Sequence, residues 1–286
     1  MPELPEVEIV KQSLNKVIKS KTINKILVNN RNLRFKVPLD FEKFLKKKIV
    51  IKTSRRSKYV IFELNNKTYF LIHLGMSGTL HLVYKNYNLN TNLSFYKNKN
   101  LPGKHNHLIF FFKKFKIIYN DPRRFGFVKI IKNKQEMLNY FSKLGPEPFS
   151  NSFNEKYLKS KFKNSIKNIK TFLLDQTLVS GIGNIYASEI LFRSKINPLK
   201  QVKNLTQKEL QRIILSTKFV LNYAINKGGS SIRDFKNILG SKGNYQKEFK
   251  VYERQNSICQ IKGCKSKITK INISKRATYY CKKCQK

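Results

Sequence analysis

The sequence has 286 residues, 40% of them hydrophobic, with 21 phenylalanines, which is enough to fill more than one core and excludes global disorder. Its 59 Lys and Arg outweigh 16 Asp and Glu to give +43, which points to DNA, RNA or the ribosome rather than to acidic proteins or small cations. Lys, Asn and Ile abound throughout, so part of that charge matches the codon drift of an AT-rich genome.

Residues 5–19 read as a helix. Pro5 suits a first helical position, Glu6 and Glu8 suit the positive helix start, and Val7, Val10, Leu14, Val17 and Ile18 form one apolar stripe. From about 22 to 132 the pattern turns to short strands: Thr22–Asn29, Lys58–Leu64, Thr68–Leu74, Thr79–Tyr84, His107–Phe112, Phe115–Tyr119 and Gly126–Ile131. Many β-branched and aromatic runs with short polar breaks predict a β-sandwich or a barrel. The Asn/Lys/Tyr-rich stretch 85–104 reads as a long exposed loop.

After residue 133 the pattern is helical. Met137, Leu138, Phe141 and Leu144 make a stripe stopped by Gly145-Pro146. Ile166, Ile169, Phe172 and Leu173 make another, and 184–194 a third after a Gly-Ile-Gly turn. Thr206-x-x-Glu209 is a capping box ahead of Leu210, Ile213, Ile214, Val220, Leu221, Ala224 and Ile225, a helix that stops at Gly228-Gly229. The polar, glycine-containing stretch 228–250 reads as a flexible loop. No internal repeat is visible. The first ten residues carry three glutamates and no long apolar stretch, and no window reaches the roughly 18 apolar residues of a membrane span. No secretory leader and no membrane anchor are therefore expected.

Cys259-x4-Cys264-x16-Cys281-x2-Cys284 fits a four-cysteine zinc site built on two turns of a hairpin. Four cysteines confined to one end do not make a secreted disulfide framework, so a reducing cytoplasm is expected. All four ligands are sulfur with no position left for water, which makes the zinc structural. A module of about 40 residues buries too little to fold well alone, so the metal would supply folding energy. Between the cysteine pairs, Arg276 in a basic, aromatic strand could grip a phosphate or stand solvated.

The start, Met1-Pro2-Glu3-Leu4-Pro5-Glu6-Val7-Glu8, offers an amine beside carboxylates. Proline in second place permits removal of Met1, which frees a secondary amine; α-amino groups have a reference pKa of roughly 7.7–8.0. Its addition to a sugar C1′ would give an iminium that stays cationic, an electron sink suited to elimination, with Glu3 placed to move protons. The same eight residues also read simply as the capped start of a helix. Gly181-Ile182-Gly183-Asn184 opens a helix whose N–H groups could hold a phosphate. His105-x-His107 without nearby acids reads as surface or core rather than as a metal site.

Six further blocks extend this start: Arg55-Arg-Ser-Lys58-Tyr59, His73-Leu-Gly-Met-Ser-Gly78, Asp121-Pro-Arg-Arg-Phe-Gly126, Leu144-Gly-Pro-Glu-Pro148, Gly181-Ile-Gly-Asn-Ile-Tyr-Ala187 and the cysteine module. In that order the chain resembles, over essentially its whole length, bacterial formamidopyrimidine-DNA glycosylase, which repairs 8-oxoguanine. The resemblance implies a multidomain α+β fold: an N-terminal two-sheet β-sandwich with an N-terminal helix (1–132), a helix–two-turn–helix domain (133–227), a lesion-covering loop and linker (228–250) and a β-hairpin zinc finger (251–286). It implies one structural Zn2+, and as partner duplex DNA carrying oxidised purines or abasic sites, handled by a monomer in the bacterial cytoplasm and nucleoid. It implies attack by Pro2 on C1′, with Glu3 and Glu6 in the site and Lys58 near the reacting sugar and phosphate, then β- and δ-elimination.

Met76, Arg123 and Phe125 match three void-filling residues of that family, which makes physical sense. An extruded base leaves an empty slot that apolar blades can fill and an orphaned partner that an arginine can read. By the same resemblance Asn184 helps hold a phosphate, and Lys170 approaches the flipped base. Two alternatives remain: an endonuclease VIII-like glycosylase for oxidised pyrimidines, disfavoured by Leu4 and the intact Asp121–Gly126 block, and a non-enzymatic zinc-dependent nucleic-acid-binding protein, which leaves Pro2-Glu3 unexplained.

Overall fold

The computed structural model describes residues 2–84, 91–92, 104–230 and 243–286. The chain divides into two compact units, one of Met1–Ser142 with Lys227–Asn244 and one of Lys143–Asn226 with Tyr245–Lys286.

The first unit opens with helix α1 (Leu4–Ile18), followed by β1 (Lys21–Thr22), β2 (Lys25–Val28), a short α2 (Phe41–Leu45), β3 (Ile49–Arg56), β4 (Tyr59–Leu64), β5 (Tyr69–His73), β6 (Thr79–Tyr84), β7 (Thr91–Asn92), β8 (Asn106–Phe111), β9 (Phe115–Asn120), β10 (Phe127–Ile131) and α3 (Lys134–Phe141). Two five-stranded sheets form, in the orders β1-β3-β4-β5-β10 and β2-β8-β9-β6-β7, with every pair antiparallel. Val7, Val10 and Leu14 of α1 join Phe62, Phe70 and Ile72 of one sheet and Leu80, Phe110 and Ile117 of the other in one core. A sandwich, not a barrel, is the outcome. Phe70 stacks on its sheet neighbour Phe62 at 4.1 Å and, across the layers, on Phe110 at 5.8 Å between ring centroids. Asn15 and Lys11 of α1 bind the backbone and hydroxyl of Thr53 on β3, which fixes the helix on the sheet.

Strand β3 escapes the sequence pattern. Only Val50 and Thr53 are buried, a register shift separates Val50 from Lys52, and Ile51 faces out, so no alternation is left to see. Helix α2 is too short to show a period. The expected exposed loop 85–104 contains the two-residue β7, paired with β6; apart from β7 and Lys104 it lies outside the described residues.

The second unit holds α4 (Glu155–Phe162), α5 (Ile169–Leu174), α6 (Asn184–Arg193), α7 (Gln207–Asn226) and the hairpin strands β11 (Thr269–Ile273) and β12 (Arg276–Tyr280). The capping box of α7 forms as expected: Thr206 Oγ1 accepts from the Glu209 N–H, and Glu209 accepts from the Thr206 N–H. Other boundaries move. Helix α3 ends at Phe141, short of Gly145, and Leu138 is exposed, so the apolar stripe 137–144 is not one helix face. Ile166 lies exposed ahead of α5, which Asn168 caps by accepting from the Thr171 N–H. The β11–β12 turn carries Ser274 and Lys275 at positive φ (49° and 60°), the twist a two-residue hairpin turn requires.

The described ends of the stretch 228–250, read as a flexible loop, are packed. Gly229 and Ser230 are packed in the first unit; in the second, Tyr245–Glu248 make a 3₁₀ turn with Tyr245 and Phe249 buried. Residues 231–242 lie outside the described residues. Among the described residues no helix is long and apolar enough to cross a membrane.

Candidate active site and metal centre

Helix α1 builds the first cluster. Glu3 is its N-cap, and the side chains of Glu3 and Glu6 exchange hydrogen bonds with each other's backbone N–H; the Glu3 N–H reaches Glu6 Oε2 at 2.9 Å. Pro2, Glu3 and Glu6 are all buried. Glu6 Oε1 accepts from both the N–H (2.8 Å) and the hydroxyl (3.0 Å) of Ser230. Gly229, at φ +76°, passes so close that a Cβ there would stand 3.1 Å from Glu6 Oε1. A glycine turn thus brings a distant segment onto the helix start. One residue pair further along the helix, Glu8 is held below the usual carboxylate range; burial opposes this, but Lys11, Gln12 and Arg55 outweigh it.

Lys58 sits in the turn between β3 and β4 and is buried. Its charge reaches His73 at the end of β5. Burial first, then the charges of Lys58 and Arg34, push the His73 imidazole down to about 4. His73 Nδ1 accepts from the Gly75 N–H (3.1 Å), so the neutral ring carries its proton on Nε2. The ring stacks on Phe127.

His73 also lines an open groove of about 750 Å³ with Arg34, Met76, Arg123, Arg124 and Phe125. Met76 and Phe125 are 39% and 42% exposed, unusual for large apolar side chains and suited to an insertion into something else. The Arg123 guanidinium lies 4.6 Å over the Phe125 ring. The three residues singled out in the sequence therefore share one rim.

In the second unit Lys170 does not stand at a surface. It is fully buried, and Nζ donates to the Asn184 carbonyl (3.1 Å) and to Ser188 Oγ (2.6 Å). Its ammonium thus lies against the first turn of α6. The Asn184 amide donates to the Ala277 carbonyl of β12 (2.8 Å), joining the helix start to the hairpin next to exposed Arg276. His107 is a core residue whose Nε2 binds the Asp121 carbonyl.

Among the described residues Cys259, Cys264, Cys281 and Cys284 form the one cluster of three or more potential metal ligands, all four Sγ lying within 4.8 Å of one another. The Sγ–Sγ distances are 3.9 Å for Cys259–Cys284 and 3.8 Å for Cys264–Cys281. A tetrahedron with Zn–S bonds of about 2.3 Å has edges of about 3.8 Å, so the four sulfurs fit zinc. Burial, then the neighbouring thiols, pushes Cys284 up to about 12, so a cation is what would make this thiol a thiolate.

Comparison with known proteins agrees with this architecture. The formamidopyrimidine-DNA glycosylase N-terminal domain matches residues 1–128 and the formamidopyrimidine-DNA glycosylase H2TH domain matches residues 144–236. The chain belongs to the formamidopyrimidine-DNA glycosylase family. A member from Wolbachia sp. subsp. Drosophila simulans is 41% identical, each chain covered in full. The Lactococcus lactis protein in complex with DNA containing an abasic site superimposes with a TM-score of 0.87 at 36% identity, covering 99% of each chain. A point mutant of that protein, in complex with DNA containing Fapy-dG, gives 0.87 at 35% identity over 100% of each. Two site features of this family member were not read from its sequence. Ser230 follows a Gly-Gly pair that signalled only a helix end. Glu189, buried on α6, accepts from the N–H groups of Lys250, Val251 and Tyr252 at 2.9–3.0 Å, and nothing in its helical spacing marks it.

Proposed function

We propose that this chain is a bifunctional DNA glycosylase and AP lyase that excises oxidised purines from duplex DNA through the amine of Pro2. The observation that carries the reading is the start of α1, where Pro2 directly precedes two buried, reciprocally bonded carboxylates, Glu3 and Glu6. The solved relatives bound to abasic-site and Fapy-dG DNA support duplex DNA as the partner.

Once Met1 is removed, the Pro2 nitrogen lone pair attacks C1′, and the damaged base leaves with the glycosidic electron pair and takes up a proton. The sugar ring opens as its oxygen is protonated, and the C1′–N bond becomes an iminium. Loss of a C2′ proton expels the 3′ phosphate; loss of a C4′ proton expels the 5′ phosphate. Glu3, oriented by the helix start, is the group placed to move these protons. Glu6 holds the helix start and the 228–230 segment together. Lys58 supplies positive charge by the reacting sugar and phosphate.

Met76 and Phe125 fill the slot left by the extruded base, and Arg123 reads its orphaned partner. Asn184 and Arg276 meet the backbone, while Lys170 acts through α6. Residues 228–250, as far as they are described, support the lesion-side cover at their first end, where Ser230 is tied to Glu6. The four cysteines would hold one zinc, which supplies folding energy to the hairpin and no chemistry to the reaction. A bacterial cytoplasmic site of action fits these assignments.

Single-turnover cleavage of duplexes carrying 8-oxoguanine opposite each base, an oxidised pyrimidine or an abasic site tests the reading. Cleavage of 8-oxoguanine with a preference for opposing cytosine is expected, and Arg123→Ala should weaken that preference. Cleavage confined to oxidised pyrimidines would shift the assignment to the endonuclease VIII-like alternative, and no cleavage at all would leave a binding protein.

A further inference from the structure

The two turns that carry Met76 and Arg123–Phe125 are separate crossings between the two sheets, β5 to β6 and β9 to β10, yet one buried carboxylate holds both. Asp121 is fully buried at the end of β9. Its Oδ1 accepts from Ser77 Oγ (2.5 Å), in the turn that bears Met76. Its Oδ2 accepts from the Gly126 N–H (2.8 Å) and the Tyr119 hydroxyl (3.1 Å), in and behind the turn that bears Arg123 and Phe125. Ser77 Oγ in turn accepts from the Arg123 N–H (3.2 Å), which closes a link from one turn through the carboxylate to the other. The Asp121 carbonyl also accepts from the Arg124 N–H (3.1 Å).

The backbones fit with no space to spare. A Cβ on Gly75 would stand 2.4 Å from the Gly126 nitrogen and the Phe125 carbonyl carbon; one on Gly126 would stand 1.8 Å from the Tyr119 hydroxyl. Gly75 is at φ +62°, a conformation glycine adopts without strain. Both turns therefore touch directly, and every side-chain bond between them runs through Asp121 or Ser77.

We propose that Asp121, with Ser77 and Tyr119, is a positioning residue that makes Met76, Arg123 and Phe125 a single pre-assembled tool rather than three independent side chains. This rests on the void-filling reading of those three residues. Its physical consequence is that apolar insertion and reading of the opposing base become coupled. If the tethers loosen, Arg123 loses its fixed aim while its guanidinium remains chemically intact. Pre-organised donors discriminate because a misplaced hydrogen bond is lost without a compensating one.

The test uses the full-length protein with Tyr119→Phe, Ser77→Ala and Asp121→Asn, alone and each combined with Arg123→Ala. The readout is the ratio of single-turnover excision opposite cytosine to that opposite adenine, beside elimination at a pre-formed abasic site. Tyr119→Phe removes one tether and Ser77→Ala removes two, and both leave the buried carboxylate in place, so they answer even if Asp121→Asn fails to fold. Each single variant is expected to lower the cytosine-to-adenine ratio by about three- to tenfold, with abasic-site elimination within about twofold of wild type. In the Arg123→Ala background the same substitutions should change the ratio no further, because they act through Arg123. An unchanged ratio in Tyr119→Phe and Ser77→Ala, equal losses on all substrates, or full additivity with Arg123→Ala would each overturn the proposal. If Arg123→Ala itself leaves the ratio unchanged, the void-filling reading fails first and the proposal falls with it.

Discussion

Replacing Glu6 by Gln separates the two jobs its carboxylate performs. Oε2 accepts the Glu3 N–H, which caps α1, and Oε1 accepts the Ser230 N–H and hydroxyl, which docks a segment 224 residues away. A glutamine has the same shape but only one oxygen, and its amide nitrogen cannot accept. Turned one way it abandons the cap; turned the other it abandons the Ser230 N–H. The hydroxyl of Ser230 can rotate to accept from the amide, but a backbone N–H cannot, so one buried donor is stranded either way. Hydrogen bonds to a charged acceptor contribute about 1.5–3 kcal/mol, and a stranded buried donor costs about 1–3 kcal/mol, so a loss of about 2–4 kcal/mol is expected.

Because both tethers meet at Glu6, which holds the N–H of Glu3 next to Pro2, the loss should appear in the chemistry as well. A misplacement of the nucleophile by about 1 Å slows reaction by about 10²-fold. The assay pairs single-turnover cleavage at a pre-formed abasic site with hydrogen exchange of peptides covering residues 3–7 and 228–230. Faster exchange in one of those peptides together with the slowed reaction is expected for Glu6→Gln. Ser230→Ala keeps the N–H bond and should lose about 1 kcal/mol or less. Unchanged exchange in both peptides with a rate within about twofold of wild type would refute this account of Glu6.

Cys281→Ser should lose one equivalent of zinc and weaken duplex binding while the first unit keeps its cooperative unfolding; retained duplex affinity in the metal-free variant would show the hairpin to be dispensable. Glu189→Gln should cost about 2–3 kcal/mol, because its amide nitrogen would face one of the three backbone N–H groups the carboxylate now satisfies. A change below about 0.5 kcal/mol in denaturant unfolding would remove Glu189 as the anchor of the segment before the hairpin. His73, pushed down to about 4 from 6.5, takes up its proton later in the folded than in the unfolded protein. Stability should therefore fall as pH drops from 6.5 towards 4, by about 3 kcal/mol in full, and His73→Gln should flatten that dependence. An NMR titration of His73 with a midpoint near 6.5 would contradict it.

Much of the fold could be read in the sequence because its strongest signals are local. The stripe of α1, the capping box of α7 and the apolar, β-branched and aromatic runs of β4, β5 and β6 place those elements to within a residue or two. What was hidden depends on tertiary packing. Strand β3 carries a register shift and an outward Ile51, and α4 buries only Leu158 and Phe162 among its lysines. In the candidate site, Pro2-Glu3-Glu6 and the cysteine cluster were legible because consecutive or closely spaced residues create them. Ser230 and Asp121 were not, since each draws its meaning from a partner on another segment. The burial of Lys170 was not legible, because a lysine on a six-residue helix shows nothing of the carbonyl that awaits its ammonium.

The central claim is that the N-terminal proline is the nucleophile, and borohydride trapping tests it most directly. The mature protein is incubated with duplex DNA carrying an abasic site, reduced with borohydride and digested, and the cross-linked peptide is sequenced by mass spectrometry. The account predicts a stable adduct in which the peptide beginning at Pro2 carries the deoxyribose remnant on its proline nitrogen. An adduct on Lys58, or cleavage with no adduct at all, would contradict it.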